Sequence, residues 1–251
     1  MLTQNPQQPS SRCACYTAGR CRTTCQLTPS VLVRPAINVA EYRAAAFLRA
    51  VSFYKYAADR SQYAARLHQR MKADAEWSAI ETKVHGADAD YKDVIVICYI
   101  ATMESDHAGT KAWTDAGHLD SATLLASHGD AAPERVVGTL DLNIGLKLPS
   151  EELMGQQPSP CQQLDRAYMS NVCTAKAAQR QGVATQLVQA AEAEATRQGV
   201  QFLYVHVAQD NTAAVKLYST HCGFHQEQKE SEPYARALSR PSRLLLCKQI
   251  N

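Results

Sequence analysis

Tyr168-Met-Ser-Asn-Val-Cys-Thr174, then Gln179-Arg-Gln-Gly-Val-Ala184, then a periodic run to Gln198 is the stretch that decides the fold. The first segment reads as a strand over 168–174. Val183, Leu187, Val188, Ala191 and Ala195 then lie on one stripe, which predicts a helix over 182–198 with that face on a sheet. Arg197-Gln-Gly199 supplies a basic last turn and a glycine stop. Between strand and helix, Gly182 has no side chain and Ala184 a small one. Backbone N–H groups at the helix start are therefore open to a bulky anion, which the helix dipole favours and Arg180 attracts. Physically this is a phosphate-binding turn. It is not G-x₄-G-K-[ST], nor the G-x-G-x-x-G dinucleotide fingerprint, and neither HExxH nor GxSxG occurs. Taken alone, the hexapeptide would be an ordinary helix start; its surroundings change that.

Downstream come a strand over 202–207, Asp210-Asn211, a helix over 212–221 holding Leu217-Tyr218, then Gly223-Phe224, and a last strand Leu244–Ile250. Upstream, Val31–Ile37 reads as a short strand whose Pro35 marks an edge or an end. Asn38 can cap a helix running through Glu41, Phe47, Val51 and Tyr54. A second helix spans roughly 62–84, with Leu67, Met71, Trp77 and Ile80 as its apolar positions and His85-Gly86 as its stop. Val94–Ile100 is a buried strand and Arg135–Ile144 an alternating one. The polar stretches 103–134 and 145–166 read as surface insertions. His107, His118 and His128 lack metal-ligand spacing, so no metal is expected. Long helices between strands imply a central sheet with helices packed on its faces.

With these residues in order, the stretch from about Tyr168 to Phe224 resembles the GCN5-related N-acetyltransferase superfamily. Strand, pyrophosphate turn, helix, strand, Asn211, Leu217-Tyr218 and Gly223-Phe224 stand in that family's order and nearly at its spacing. The chain is similar in particular to plastid acetyltransferases of plants and algae. That likeness rests on Tyr168–Cys173, Tyr204-Val-His-Val207, Ala235-Arg-x-Leu-x-Arg-Pro-x-Arg-Leu-Leu-Leu246, and Gly138–Leu142 with Leu148-Pro149. It reaches from about 135 to 246; residues 31–134 fit in outline only. The fold it implies is α/β, a central mixed twisted sheet with helices on both faces and two surface insertions.

The resemblance also implies roles. Acetyl-CoA is the expected co-substrate. Arg180, Gln181, Gly182, Val183, Ala184 and Thr185 would hold its pyrophosphate, with Asn211, Thr212 and Ala213 contacting CoA further along. The main chain of Val172, Cys173 and Thr174 would pair with the pantetheine arm. Direct transfer needs no acyl-enzyme, so Cys173 is not expected to act as a nucleophile. Tyr218 matches the family's acid facing the departing sulfur, and a phenol of pKa about 10 stays protonated at neutral pH. Seven residues separate it from Asn211, two helical turns, which puts both on one side of the helix; Asn211 is also a natural cap. His206 is the candidate base, directly or through a water, and reads equally as a satisfied sheet histidine. Near its ordinary pKa it would accept a proton at stromal pH. Tyr168 is its candidate partner. The family has three residues between Leu-Tyr and Gly-Phe. This chain has four, Ser219-Thr-His-Cys222, which calls for a bulge or a longer turn after Tyr218. Arg236, Arg240 and Arg243 read either as a rim for a peptide substrate or as a solvated basic loop.

Composition sets bounds around this. The chain has 251 residues, 45% hydrophobic and 20% charged, which fits a globular core. A net charge of +2, from 26 basic and 24 acidic residues, supports no nucleic-acid partner. The longest apolar run, Val94–Ala101, is far too short for a membrane span. Residues 1–40 hold Arg12, Arg20, Arg22 and Arg34 but no acid and no lysine. Ser and Thr are frequent there, and the first acid is Glu41. That is the composition of an organelle transit peptide, expected over 1–30, with the acetyltransferase domain over 31–251. Removing Arg12, Arg20 and Arg22 turns the net charge from +2 to −1. The spacing of Cys13, Cys15, Cys21 and Cys25 does not match a zinc site. Composition alone leaves plastid and mitochondrial import open; the resemblance favours the plastid stroma over the mitochondrial matrix. The expected partners are protein or peptide amines, N-terminal or lysine. A small-molecule amine acceptor and a non-catalytic acetyl-CoA-binding module are the alternatives.

Overall fold

A computed structural model describes residues 30–56, 59, 61–105, 121–126, 132–145 and 166–250. The transit-peptide segment, its four cysteines, His107, His118, His128 and most of both insertions lie outside the described residues. In chain order the elements are β1 (Val31–Pro35), α1 (Val39–Phe53), α2 (Gln62–Val84), β2 (Val94–Glu104), β3 (Leu124–Leu125), β4 (Glu134–Gly145) and β5 (Arg166–Thr174). Then follow α3 (Val183–Arg197), β6 (Phe202–Ala208), α4 (Thr212–Lys216), β7 (His225–Lys229), α5 (Glu232–Ala237) and β8 (Arg243–Gln249).

Among the described residues the strands form one mixed sheet in the order β1-β2-β4-β5-β6-β8-β7, with β3 added beside β4. The β5–β6 pair is parallel and joined through α3; the other pairs are antiparallel. Pro35 ends β1 on the sheet's edge, where a missing N–H does least harm. Asn38 caps α1 by accepting from the Glu41 N–H at 3.0 Å.

The helices occupy opposite faces. Gly138 of β4 lies under α3: a Cβ there would fall 2.7 Å from Val183 Cγ1 and 2.9 Å from Leu187 Cδ1. Only glycine lets α3 come this close. The α3 stripe read from the sequence, Val183, Leu187, Val188, Ala191 and Ala195, is buried throughout; each such Val or Leu contributes about 1.5–3 kcal/mol. The neighbouring β4 positions Thr139 and Asp141 point the other way, toward α1.

Three differences from the sequence reading have physical causes. β2 runs on to Glu104, and β3 with a 3-10 turn at Ser121–Thr123 falls inside the stretch 103–134 expected to be loop. β7 was not foreseen because His225-Gln-Glu-Gln-Lys229 is exposed along its whole length. It is held by backbone pairing to β8 and has no apolar alternation to reveal it. A polar, charged strand also suits a sheet edge, which it protects from further pairing. α5 is short and carries Pro233 in its first turn, where proline is well suited.

Candidate active site

β5 and β6 start as partners and then part. They pair from Arg166–Phe202 to Met169–Val205, and no further, although β5 continues to Thr174 and β6 to Ala208. Burial changes at the same point: Arg166–Met169 are buried, Ser170–Val172 only half-buried. On its other side β5 carries one extra residue against β4, between the pairs Asp141–Ser170 and Thr139–Cys173. At this bulge Asn171 takes a left-handed backbone, φ 55°. Past the bulge, Val172, Cys173 and Thr174 are not paired with β6, so their main-chain groups on that side are free of the ladder. Thr174 Oγ1 is buried and has no protein partner among the described residues. The Cys173 thiol is pushed up to about 11 by burial, which makes it a poor nucleophile at neutral pH.

The turn before α3 lies against the end of β5, because Gly138 pairs with Thr174 and packs under Val183. Arg180 and Gly182 both have left-handed backbones, φ 65° and 80°. Alternating conformations of this kind point successive N–H groups into one concavity, an anion nest continued by the helix N-terminus. Gln179–Gly182 are exposed. A Cβ on Gly182 would meet only Gln186 Nε2, at 3.8 Å. Asn211, Thr212 and Ala213 are exposed at the start of α4, where Asn211 Oδ1 accepts from the Ala214 N–H at 3.2 Å.

The expected single helix over 212–221 is interrupted. α4 is α-helical to Lys216, and Leu217–His221 form a π turn closed by the Cys222 N–H donating to the Leu217 carbonyl at 3.0 Å. The extra residue after Tyr218 falls in this wider turn; β7, the next strand, also carries a bulge between Gln226 and Gln228. The two-turn argument placing Asn211 and Tyr218 on one side therefore holds only as far as Lys216. Tyr218 is anchored regardless. Its carbonyl accepts from the Phe224 N–H at 2.9 Å, and its ring meets the Phe224 edge at 5.7 Å. Tyr218 is 4% exposed, and its hydroxyl makes no hydrogen bond among the described residues. Burial, with Cys222 and Tyr168 nearby, raises its phenol well above the ordinary value.

Tyr168 and His206 meet on the sheet face opposite α3. The Tyr168 hydroxyl and His206 Nδ1 are hydrogen-bonded at 3.1 Å, while His206 Nε2 is buried without a partner among the described residues. Burial, and then Arg243, push the imidazole down to about 4. The ordinary value of about 6.5 assumed for an open strand histidine does not apply here.

Arg240 and Arg243 are half-buried and ion-paired rather than part of a solvated basic loop. Both grip Glu230, which is buried. Arg240 holds its carboxylate through two contacts of 2.5 and 2.6 Å, and Arg243 donates from Nη2 at 3.3 Å and from its backbone N–H at 3.1 Å. The Arg240 hydrogen bond comes first among the causes that hold the Glu230 carboxyl down to about 2. Arg236 alone of the three is exposed. Sequence reasoning missed Glu230, because nothing local distinguishes it from the neighbouring acids Glu227 and Glu232.

Arg49 and Asp141 were missed as well. Arg49 of α1 is 1% exposed and pairs with Asp141 of β4 through both terminal guanidinium nitrogens, at 2.9 and 2.5 Å. It also donates to Thr139 Oγ1 at 3.0 Å. Asp141 in turn accepts from Asn171 Nδ2 at 2.9 Å. Removing one partner of such a buried pair costs about 3–5 kcal/mol. A signal existed: Arg49 continues the stripe Tyr42, Ala45, Ala46 that α1 buries.

Residues 92–224 match the family model described as acetyltransferase (GNAT) family. GCN5-related N-acetyltransferase 7, chloroplastic, of Arabidopsis thaliana is 33% identical over 217 residues, covering 86% of this chain and 74% of that protein. GCN5-related N-acetyltransferase 6, chloroplastic, of the same plant is 29% identical over 197 residues, 74% of this chain and 59% of that protein. Arabidopsis thaliana NAA60 in complex with acetyl-CoA shares the fold, with a TM-score of 0.54 at 14% identity over 88% of this chain and 99% of that one. No helix among the described residues is long and apolar enough to cross a membrane.

Proposed function

The chain belongs to the acetyltransferase (GNAT) family, and on that premise we propose that it is a plastid enzyme carrying acetyl from acetyl-CoA to peptide amines, at protein N-termini, lysine side chains or both. The observation that carries this reading is the Tyr168–His206 pair where β5 and β6 part. The plastid assignment is supported by the chloroplastic relatives and by the acid-free, Arg-rich and Ser/Thr-rich first 30 residues.

The residues present fit acetyl-CoA. The nest at Arg180–Gly182 and the first N–H groups of Val183, Ala184 and Thr185 suit a pyrophosphate. The turned-out main chain of Val172–Thr174, beside the orphaned Thr174 Oγ1, suits an amide-bearing arm. Asn211, Thr212 and Ala213 would add contacts at the start of α4. When bound, acetyl-CoA supplies the acetyl group as an activated thioester. His206 Nε2 takes a proton from the acceptor amine. For that, the neutral ring carries its hydrogen on Nδ1 and donates it to Tyr168, which fixes tautomer and orientation. The Tyr218 hydroxyl gives a proton to the departing sulfur.

Incubating the protein with acetyl-CoA and a peptide library should produce acetylated peptide amines by mass spectrometry. Acetylation of a polyamine or free amino acid with every peptide untouched would overturn the acceptor assignment. A fluorescent fusion of the full chain found outside plastids would remove the plastid part.

The depressed pKa of His206 has a definite sign. With a folded value of about 4 against the ordinary 6.5, the ring stays neutral at stromal pH and loses its base form only as pH falls through about 4. In kcat/KM profiles the His206 limb should therefore lie near pH 4, separate from the limb of an α-amine substrate at roughly 7.7–8.0. His206→Ala should lower kcat/KM at neutral pH by about 10²-fold and abolish the lower limb. A wild-type limb near pH 6.5 that vanishes in His206→Ala would show instead that the ring is solvated.

A further inference from the structure

Beside the point where β5 stops pairing with β6 lies a set of polar side chains outside the residues that would touch acetyl-CoA. Three side chains from three elements form a continuous chain into the bulge. Arg49 of α1 holds both oxygens of Asp141, and Asp141 Oδ2 accepts from Asn171 Nδ2 at 2.9 Å. Asn171 is the residue with φ 55°, inside the stretch where β5 gains one residue on β4. Asparagine visits the left-handed region more readily than most residues, yet glycine alone does so without steric cost. The Asp141 carboxylate tethers the Asn171 side chain in that conformation, and the tether's far end is a guanidinium 1% exposed.

A buried ion pair contributes little net stability, because desolvation offsets the Coulomb gain. Stability alone thus gives poor reason for placing a charge pair beneath this strand. Asn143 holds the next turn of the same face. Its Nδ2 donates to the Tyr168 carbonyl at 2.9 Å and to Ser170 Oγ at 3.1 Å, so β5 is fastened on one side of the bulge and bent on the other.

We propose that Arg49, Asp141 and Asn171 form a positioning relay that sets the opening between β5 and β6, and thereby the presentation of Val172–Thr174 to the pantetheine arm. The inference rests on the acetyl-CoA site reading above. Arg49 and Asp141 are positioning residues; neither is assigned a contact with the reacting atoms.

The test uses the double variant Arg49→Met/Asp141→Leu, which replaces the pair by apolar side chains and leaves no lone buried charge. Desulfo-CoA affinity is read by calorimetry and folding by thermal melting. The double variant should melt close to the wild type yet bind at least 10-fold more weakly. Adding Asn171→Gly, which takes a left-handed φ without a tether, should restore most of that affinity. A merely structural role would not be rescued by a glycine at the bulge. Wild-type affinity in the double variant overturns the relay, and so does a binding loss that Asn171→Gly leaves unrepaired. If the double variant fails to fold, Asn171→Val carries the test: it keeps the ion pair but disfavours the left-handed backbone. It should fold and bind at least 10-fold more weakly; unchanged affinity overturns the relay. Gly182→Val separates the two readings. If it binds desulfo-CoA like the wild type, the site reading fails and the relay with it. If it loses binding while the double variant does not, only the relay fails.

Discussion

Tyr218→Phe should lower kcat by about 10²–10⁴-fold, the range of a lost general acid, while leaving acetyl-CoA affinity and melting temperature nearly unchanged. The substitution removes one oxygen and keeps the ring against Phe224. The hydroxyl makes no hydrogen bond among the described residues, so little folding energy goes with it. Burial raises the phenol's pKa, so it stays a proton donor across the working pH range. A basic limb below about pH 10 should therefore not arise from Tyr218. Stopped-flow turnover with a saturating peptide, beside calorimetric CoA binding, separates the two effects. Equal turnover in wild type and Tyr218→Phe would take Tyr218 out of the acid role. A parallel fall in CoA affinity would make it a binding residue instead.

Gly182→Val should weaken acetyl-CoA binding by about 100-fold. The position has φ 80°, and for a side chain with a Cβ the left-handed region costs about 1–2 kcal/mol. The Cβ would not clash with the protein, since only Gln186 Nε2 lies nearby, at 3.8 Å. It would project into the cradle in front of α3, where a bulky anion has to approach. Losing two charge-assisted hydrogen bonds to that anion, at about 1.5–3 kcal/mol each, is enough for a 100-fold effect. The loss should appear in KM and Kd for acetyl-CoA, with kcat at saturation less affected. Gly182→Ala should fall between the two. An unaltered Kd in Gly182→Val would move the pyrophosphate elsewhere.

The legible parts of the site share a property: each is encoded within a few neighbouring residues. The turn Gln179–Ala184 announced itself through a glycine, a cation and the start of a periodic stripe. The α3 face, the Asn38 and Asn211 caps and the strand at 202–207 were equally local. The parts that stayed hidden join distant positions. Arg49 and Asp141 are 92 residues apart, and each looks like a surface residue until the helix and the central strand are stacked. Glu230 and its two arginines gave only a crowded basic stretch. β7 has exposed polar side chains throughout, so its existence depends on backbone pairing that no hydrophobic pattern records.

The same division applies to chemistry. The sequence alone determined the order of strands and helices around the phosphate-binding turn, the candidate acid, base and partner, and an arginine-bearing, acid-free first 40 residues. It also showed that one residue too many followed Tyr218. Tertiary structure decided where that residue goes: the π turn Leu217–His221 takes it up, with the Tyr218 ring packed on Phe224. It decided the ionisation of His206, since a pKa depends on what surrounds a ring and not on its neighbours in the chain. It also decided where β5 stops pairing with β6, at Met169–Val205, and it brought Asn171, Asp141 and Arg49 from three separate elements into one hydrogen-bonded chain beside that point.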